Sequence, residues 1–221
     1  LPEQPHDSHD SSGIYLKYGT REVIQNKTKM NYYSIKWRSA LHELEQNDFG
    51  TVPLSHNETG SVELKYFIDE KKLTIDRFTI LNIINLNPSS SFQKKLSWKV
   101  RADIMSDWEP DLEGSMGLSY DINKLNSFRV AGLLTTRYWH INEFPFIGLG
   151  PELITIWNLF DQWSASVSLN YFFMNDYQDI IREKYKINYS VNKSLDLQLI
   201  QENLSNLQSQ YEAALVYNFM F

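Results

Sequence analysis

The chain has 221 residues, a net charge of −6 and no cysteine. That length suits one all-β barrel or sandwich domain. Missing cysteine removes disulfides, thiolate zinc sites and a cysteine nucleophile together. With 12 Phe, 13 Tyr and 6 Trp and 42% apolar residues the chain is too rich in core formers to be disordered. A pI near 5.4 offers no basic stripe to a phosphate backbone, so nucleic acid is not an expected partner. The most apolar run, Phe144 to Trp157, is broken by Pro145, Pro151 and Glu152, so no spanning helix is present in the pattern. No charged segment followed by an apolar stretch opens the chain at Leu1, which suits a mature chain or a portion of a longer one.

In chain order, the hydrophobic pattern repeats every two residues, the period of strands. Segments 13–20 and 31–38 are followed by Val62, Leu64, Tyr66 and Ile68, then by 73–86. Leu96, Trp98, Val100, Ala102 and Ile104 alternate cleanly, and 114–122, 128–139 and 146–158 follow. Trp163 to Phe173, Tyr185 to Val191, Leu195 to Leu199 and Tyr211 to Phe221 complete twelve predicted strands. Turn residues such as Asp69-Glu70-Lys71-Lys72 and Asn192-Lys193 separate them, giving a meander of hairpins. Residues 1–12 are expected to be a polar linker and 13–221 the barrel.

Alternation fits either a soluble barrel with apolar residues inside or a membrane barrel with them outside. Size decides between them, because about eight strands already give an interior that side chains just fill, and twelve leave a wide lumen. The faces opposite the apolar ones carry Lys17, Lys36, Arg38, Lys65, Lys99, Arg101, Arg129, Arg137, Lys184 and Lys186, with Glu63, Asp103, Asp121, Glu152, Asp196 and Glu212. A hydrated interior accommodates such residues, and a mean hydropathy of −0.42 is compatible with strands that offer lipid only every second residue. All six tryptophans fall near predicted strand ends, as an aromatic girdle requires. With both termini periplasmic, Trp37, Trp98, Trp157 and Trp163 belong to the periplasmic girdle, and Trp108 and Trp139 to the outer one. The expected architecture is therefore a closed, antiparallel, up-and-down transmembrane β-barrel of about twelve strands.

The final strand ends on Phe221, with Phe219, Tyr217, Leu215, Ala213 and Tyr211 at every second position before it. This resembles the C-terminal assembly signal of bacterial outer-membrane barrels, with Ala213 where many such signals have glycine. The resemblance implies outer-membrane lipid and the barrel-insertion machinery as partners. A narrower resemblance rests on Pro2, Pro5, His9, Ser11, Ser12 and Gly13, on Trp37-Arg38-Ser39-Ala40-Leu41-His42-Glu43-Leu44, on Gly50, and on Asn85-Leu86-Asn87-Pro88 and Leu96-Ser97-Trp98-Lys99-Val100. These residues resemble the C-terminal barrel module of bacterial proteins whose N-terminal module is a periplasmic, cysteine-dependent domain of unknown function related to lipoprotein N-acyltransferases. Ser39 departs from the pattern, which has proline there. The cysteine-bearing module is absent, so no catalytic residue carries over. What the resemblance implies is a non-catalytic anchor or docking module for an upstream periplasmic domain.

Three functions follow as expectations. For the anchor, residues 1–12, 39–59 and 87–95 form a periplasmic platform that includes His9, Trp37, Arg38, His42, Glu43, Phe49, His56, Pro88 and Trp98. Long connections on a side where bacterial barrels usually have short turns point to function. An alternative is an outer-membrane acyl hydrolase: His9-x-Ser11 resembles the His-x-Ser segment of outer-membrane phospholipases and lipid A deacylases, an imidazole beside a hydroxyl being a base beside a nucleophile. A third is a small anion-selective pore, because ten basic residues against six acidic give the lumen set a charge of +4 inside a chain of −6. Histidine spacing matches no established ligand pattern, so neither a metal nor a cofactor is expected.

Overall fold

The computed structural model of the chain describes residues 11–24, 27–42, 55–90, 93–123, 128–141, 144–160, 162–175, 178–192, 194–205 and 207–220. Twelve strands run in order: β1 (Ser11–Val23), β2 (Thr28–His42), β3 (Ser55–Phe67), β4 (Lys72–Asn85), β5 (Ser97–Met105), β6 (Pro110–Asn123), β7 (Phe128–Ile141), β8 (Phe144–Phe160), β9 (Trp163–Met174), β10 (Ile180–Asn192), β11 (Leu195–Leu204) and β12 (Gln208–Met220). Each pairs antiparallel with its neighbours in sequence, and β12 pairs with β1 to close the barrel. The closing ladder sets Ser11 opposite Met220 and Val23 opposite Gln208. Among the described residues no helix is long and apolar enough to cross a membrane.

Alternation becomes two surfaces. Leu16, Tyr18, Ile35, Leu134, Leu153, Leu197 and Leu215 are exposed on the outside, while Lys36, Glu63, Lys99, Glu152 and Asn188 are buried inside. A soluble fold would reverse this, because apolar side chains leave water first. On β12, Tyr211, Ala213, Leu215 and Tyr217 face out and Glu212, Ala214, Val216 and Asn218 face in, as the alternation predicts. The side chain of Phe219 and all of Phe221 lie outside the described residues.

The strands start earlier or run further than the sequence pattern shows. Ser39 to His42 belong to β2 instead of a loop, and β3 begins at Ser55. Gly60, at φ 60°, interrupts the alternation so that Glu58 and Ser61 both face inward, with the Ser61 hydroxyl donating to Glu58. On β8, the ladder to β9 pairs Leu149 with Phe173 and next Glu152 with Asn170. Gly150 and Pro151 are skipped: Pro151 has no N–H to give, and a Cβ on Gly150 would lie 1.6 Å from the Tyr171 carbonyl oxygen.

Two rims result. One carries the start of β1, the end of β12, the ends of β2, β4, β6, β8 and β10, and the starts of β3, β5, β7, β9 and β11; we call it the terminal rim and its opposite the far rim. Phe128 stacks on Trp157 at 5.3 Å and Trp163 lies 4.7 Å from Tyr189, ring centre to ring centre, both pairs at the terminal rim. Such pairs suit a membrane interface. Trp139 departs from the expected girdle. It shares the inward face with Arg137 and is 6% exposed, packed on Phe172 at 5.3 Å.

Candidate functional site

The lumen is the site. Period-two alternation on every strand sends short polar and charged side chains inward, and ion pairs across strands hold them there. Near the β1–β4 wall, Lys17 bridges Glu63 at 2.8 Å and Glu212 at 3.3 Å, while Asp76 receives Lys65 at 2.9 Å and Arg21 at 3.2 Å. Tyr32 donates its hydroxyl to Glu212 at 2.8 Å, beneath the Lys65 ammonium at 4.5 Å from its ring centre. At the terminal rim, Glu58 meets Lys36 at 2.5 Å, and His56 lies 3.6 Å from Glu58 and 3.0 Å from Asn82.

A second network occupies the β5–β8 wall. Lys99 contacts both Glu152 oxygens at 2.7 Å and also meets Glu113. Asp111 receives Arg101 at 3.0 Å and Arg137 at 2.8 Å, and Arg182 joins Glu113 at 3.1 Å to Glu202 at 2.8 Å. Thr135 and Ser168 donate to Glu152 at 2.8 and 3.0 Å. Burying one member of such a network alone would cost several kcal/mol, so the mutual pairing is what keeps these charges inside.

Five inward acids escape the sequence pattern: Glu58, Asp76, Asp111, Glu113 and Glu202. Arg21, Arg77 and Arg182 also face the lumen. Together with the sixteen expected residues, the described lumen holds thirteen basic and eleven acidic side chains, a net of +2 instead of +4. The correction has a geometric cause, since Glu58, Asp111, Glu113 and Glu202 lie in the parts of β3, β6 and β11 beyond the clean alternation. On β4, Asp76 is skipped in the ladder opposite Glu63 and Leu64 of β3, and Ile80 is skipped between Thr79 and Leu81, which displaces the parity around Asp76 and Arg77.

Apolar residues also enter the lumen at three places. At the far rim Trp139, Phe172, Ile180 and Leu204 form a buried cluster with Phe146, Met174 and Leu207 packed on it. Near the terminal rim Leu86, Ala131, Leu133, Ile154 and Ile156 form another. Leu86 reaches it because the segment after β4 turns inward: Arg129 donates to the Leu86 carbonyl at 2.9 Å, and Pro88 makes a parallel bridge with Ser119. The third is Tyr15 with Ala214 and Val216, under Arg38 at 4.0 Å from the Tyr15 ring centre.

Between these closures the lumen keeps open volume. A cavity of about 270 Å³ is lined by Lys17, Lys36, Arg38, Glu63, Lys65 and Glu212 among others, and a smaller one of about 150 Å³ by His56, Asn82, Lys99, Glu152, Ser166 and Ser168. Both are bordered by Arg101, Arg182, Lys184 and Lys186.

The residues expected to form one platform are separated by strand parity. Trp37 and Trp98 face outward, whereas Arg38 and His56 face the lumen. Pro88 is tucked against Ser119 inside the barrel. His42 ends β2, while His9, Glu43 and Phe49 lie outside the described residues. Of the His-x-Ser pair, Ser11 opens β1 opposite Met220 and Leu41, and His9 lies outside the described residues. No group of three His, Asp or Glu with metal-binding geometry occurs among the described residues.

A closed, twelve-stranded antiparallel barrel with an apolar exterior and an ion-paired, cavity-bearing lumen is a β-barrel of the outer-membrane porin type. Comparison with solved structures agrees. The chain is similar in fold to KdgM porin (12% identity, 94% of this chain and 99% of that one, TM-score 0.53) and to NanC porin (8%, 92% and 98%, 0.57). It is likewise similar to the COG4313 outer membrane channel from Pseudomonas putida F1 (10%, 96% and 96%, 0.56). Residues 2–219 match the family described as Domain of unknown function (DUF7840), and the chain belongs to that family. No curated protein matches it in sequence.

Proposed function

We propose that the chain is an outer-membrane pore for small hydrophilic solutes with a preference for anions, its termini on the periplasmic side. The observation that carries this reading is the pair of cavities inside the lumen, bordered in common by Arg101, Arg182, Lys184 and Lys186. A plugged barrel would need no such space, and fixed cations along a water-filled path raise the local concentration of anions. The net lumen charge of +2 makes the preference modest. Reversal potentials across a planar bilayer, measured in a potassium chloride gradient with the purified barrel, test it. The expected result is chloride favoured over potassium; a folded barrel that conducts no ions, or favours potassium, would overturn it.

A second reading is an anchor for a periplasmic domain, docked through the assembly residues' end of the barrel. It is favoured by the start of β1, the end of β12, the facing ends of β2 and β3 and the inturned segment after β4 sharing one rim. Photo-crosslinkers at positions 43 and 49 in cells test it, and capture of a periplasmic protein with an acyltransferase-like fold is the supporting result.

A further inference from the structure

The outer wall of the barrel carries an acid in an apolar setting. Glu183 shares the outward parity of β10 with Ile181, Tyr185 and Ile187, all exposed on the lipid-facing side. Toward the far rim the wall stays apolar, with Ile181 and, on β9, Phe173 exposed, so the carboxylate lies within the apolar band and not beyond it. Among the described residues its one hydrogen bond comes from the Asn203 amide at 3.2 Å, and no Lys or Arg pairs with it. A charge on a lipid-facing strand costs stability according to its depth, and a cation beside it offsets that cost.

Register places Glu183 at a boundary. On one side its row continues into polar side chains, Asn203 of β11 and Ser209 of β12. On the other it continues as Leu169 of β9, Leu153 of β8, Gly132 of β7 and Leu118 of β6. Gly132 presents no side chain, and a Cβ there would meet nothing within 4 Å. An open groove of about 820 Å³ follows this row, bordered by Gly132, Leu134, Pro151, Leu153, Leu169 and Glu183. From Glu183 to Gly132 are three strand spacings, about 14 Å, close to the ~15 Å of hydrocarbon in one leaflet. Glu183 lies near the far-rim start of β10, whereas Leu153 and Gly132 lie well inside β8 and β7, so the groove descends from the far interface toward the middle of the band.

We propose that this groove binds a membrane lipid whose headgroup ends in a primary ammonium, with one acyl chain over Gly132 and the ammonium on Glu183. Carboxylate and ammonium match in charge, the ammonium donates N–H groups that the carboxylate accepts, and the low dielectric at the edge of the band strengthens the pair. A headgroup of negative charge alone would be repelled, because the described outward faces of β8 to β11 carry no basic residue. The site needs only the lipid-facing exterior and holds whether or not the lumen conducts.

Native mass spectrometry of the purified barrel tests the site, titrating phosphatidylethanolamine and, separately, phosphatidylglycerol of the same chains with and without magnesium. The expected result is saturable binding of phosphatidylethanolamine, tighter than that of phosphatidylglycerol. E183Q, which keeps an acceptor for the Asn203 amide and loses the charge, is expected to weaken it about fivefold or more, as is G132L, which fills the groove. Heat-modifiable gel migration verifies that both variants are closed barrels. Phosphatidylethanolamine bound no more tightly than phosphatidylglycerol, or bound equally by E183Q, overturns the site. Binding that E183Q weakens and G132L leaves unchanged overturns the place of the chain in the groove. Phosphatidylglycerol bound more tightly than phosphatidylethanolamine only with magnesium, and lost in E183Q, overturns the proposal as well, because Glu183 then holds a metal ion.

Discussion

Lys99 on β5 lies 2.7 Å from both carboxylate oxygens of Glu152 on β8, 53 residues further along the chain. The pair ties strands that are not neighbours, so it braces the barrel across its interior. Both side chains are buried, and removing Glu152 leaves the Lys99 ammonium with Glu113 alone, a carboxylate it shares with Arg101 and Arg182 in a site with little water. Glu152→Gln is expected to destabilise the folded barrel by about 3 kcal/mol. Lys99→Met with Glu152→Leu is expected to cost much less, because no buried charge remains unmatched. Urea unfolding in detergent, followed by tryptophan fluorescence, checks both.

Two glycines on adjoining strands have opposite prospects. A Cβ at Gly150 would lie 1.6 Å from the Tyr171 carbonyl oxygen, while one at Gly132 meets nothing within 4 Å. Gly150→Ala is expected to prevent β8 and β9 from closing at the Pro151 gap and to lower the folded yield severely. Gly132→Ala is expected to change stability by no more than about 0.5 kcal/mol. Folded yield in liposomes separates the two.

The Trp139 and Phe172 cluster covers the far mouth along the β7–β11 wall. Removing the indole opens space beside Arg137, whose guanidinium lies 4.8 Å from its ring centre, so Trp139→Ala is expected to raise single-channel conductance about twofold. Loss of packing costs about 3 kcal/mol, and Phe172→Leu is the milder companion that keeps the barrel folded. Unchanged conductance in both variants would show that the cluster does not limit flow.

At the far rim Asp179, outside the strands, accepts the Tyr171 hydroxyl at 2.6 Å and the Met174 amide at 3.2 Å. These hydrogen bonds hold its carboxyl below the usual aspartate range, the Tyr171 bond contributing most. A depressed folded pKa stabilises above the unfolded value and is lost as pH falls through the folded one. The β9–β10 turn is therefore expected to loosen only below about pH 3.9. Amide exchange at Met174, followed from neutral pH downward, reports it, and Asp179→Asn should show the loosened turn already at neutral pH.

Strand number, order and outward face were legible because lipid leaves little choice at each outward position: Leu197, Leu199 and Leu215 mark themselves. Inward positions are less constrained in type, and there the pattern fails. Glu58, Asp111 and Glu113 sit in strand ends that carry no clean alternation, so their partners Lys36, Arg101 and Lys99 read as an unbalanced cationic set. Trp139 misled for a related reason, because a strand end suggests a girdle whichever way the side chain points. Its shared parity with Arg137 was the available signal. The inward turn of Leu86 and Pro88 had none, since it depends on meeting Ser119 and Arg129 from strands that follow later.

The trio of Tyr15, Ala214 and Val216 sits astride the β1–β12 junction, where Ser11 faces Met220. Every other strand pair joins neighbours in sequence and can zip outward from its own turn. This one joins the two ends of the chain, so loop-closure entropy delays it until the rest of the sheet has curled. Until then β1 and β12 expose unpaired backbone edges that invite pairing with other chains. Burial of Tyr15 is therefore expected late in folding, and a partner that templates either free edge would set the rate at which closed barrels accumulate and the fraction lost to aggregation.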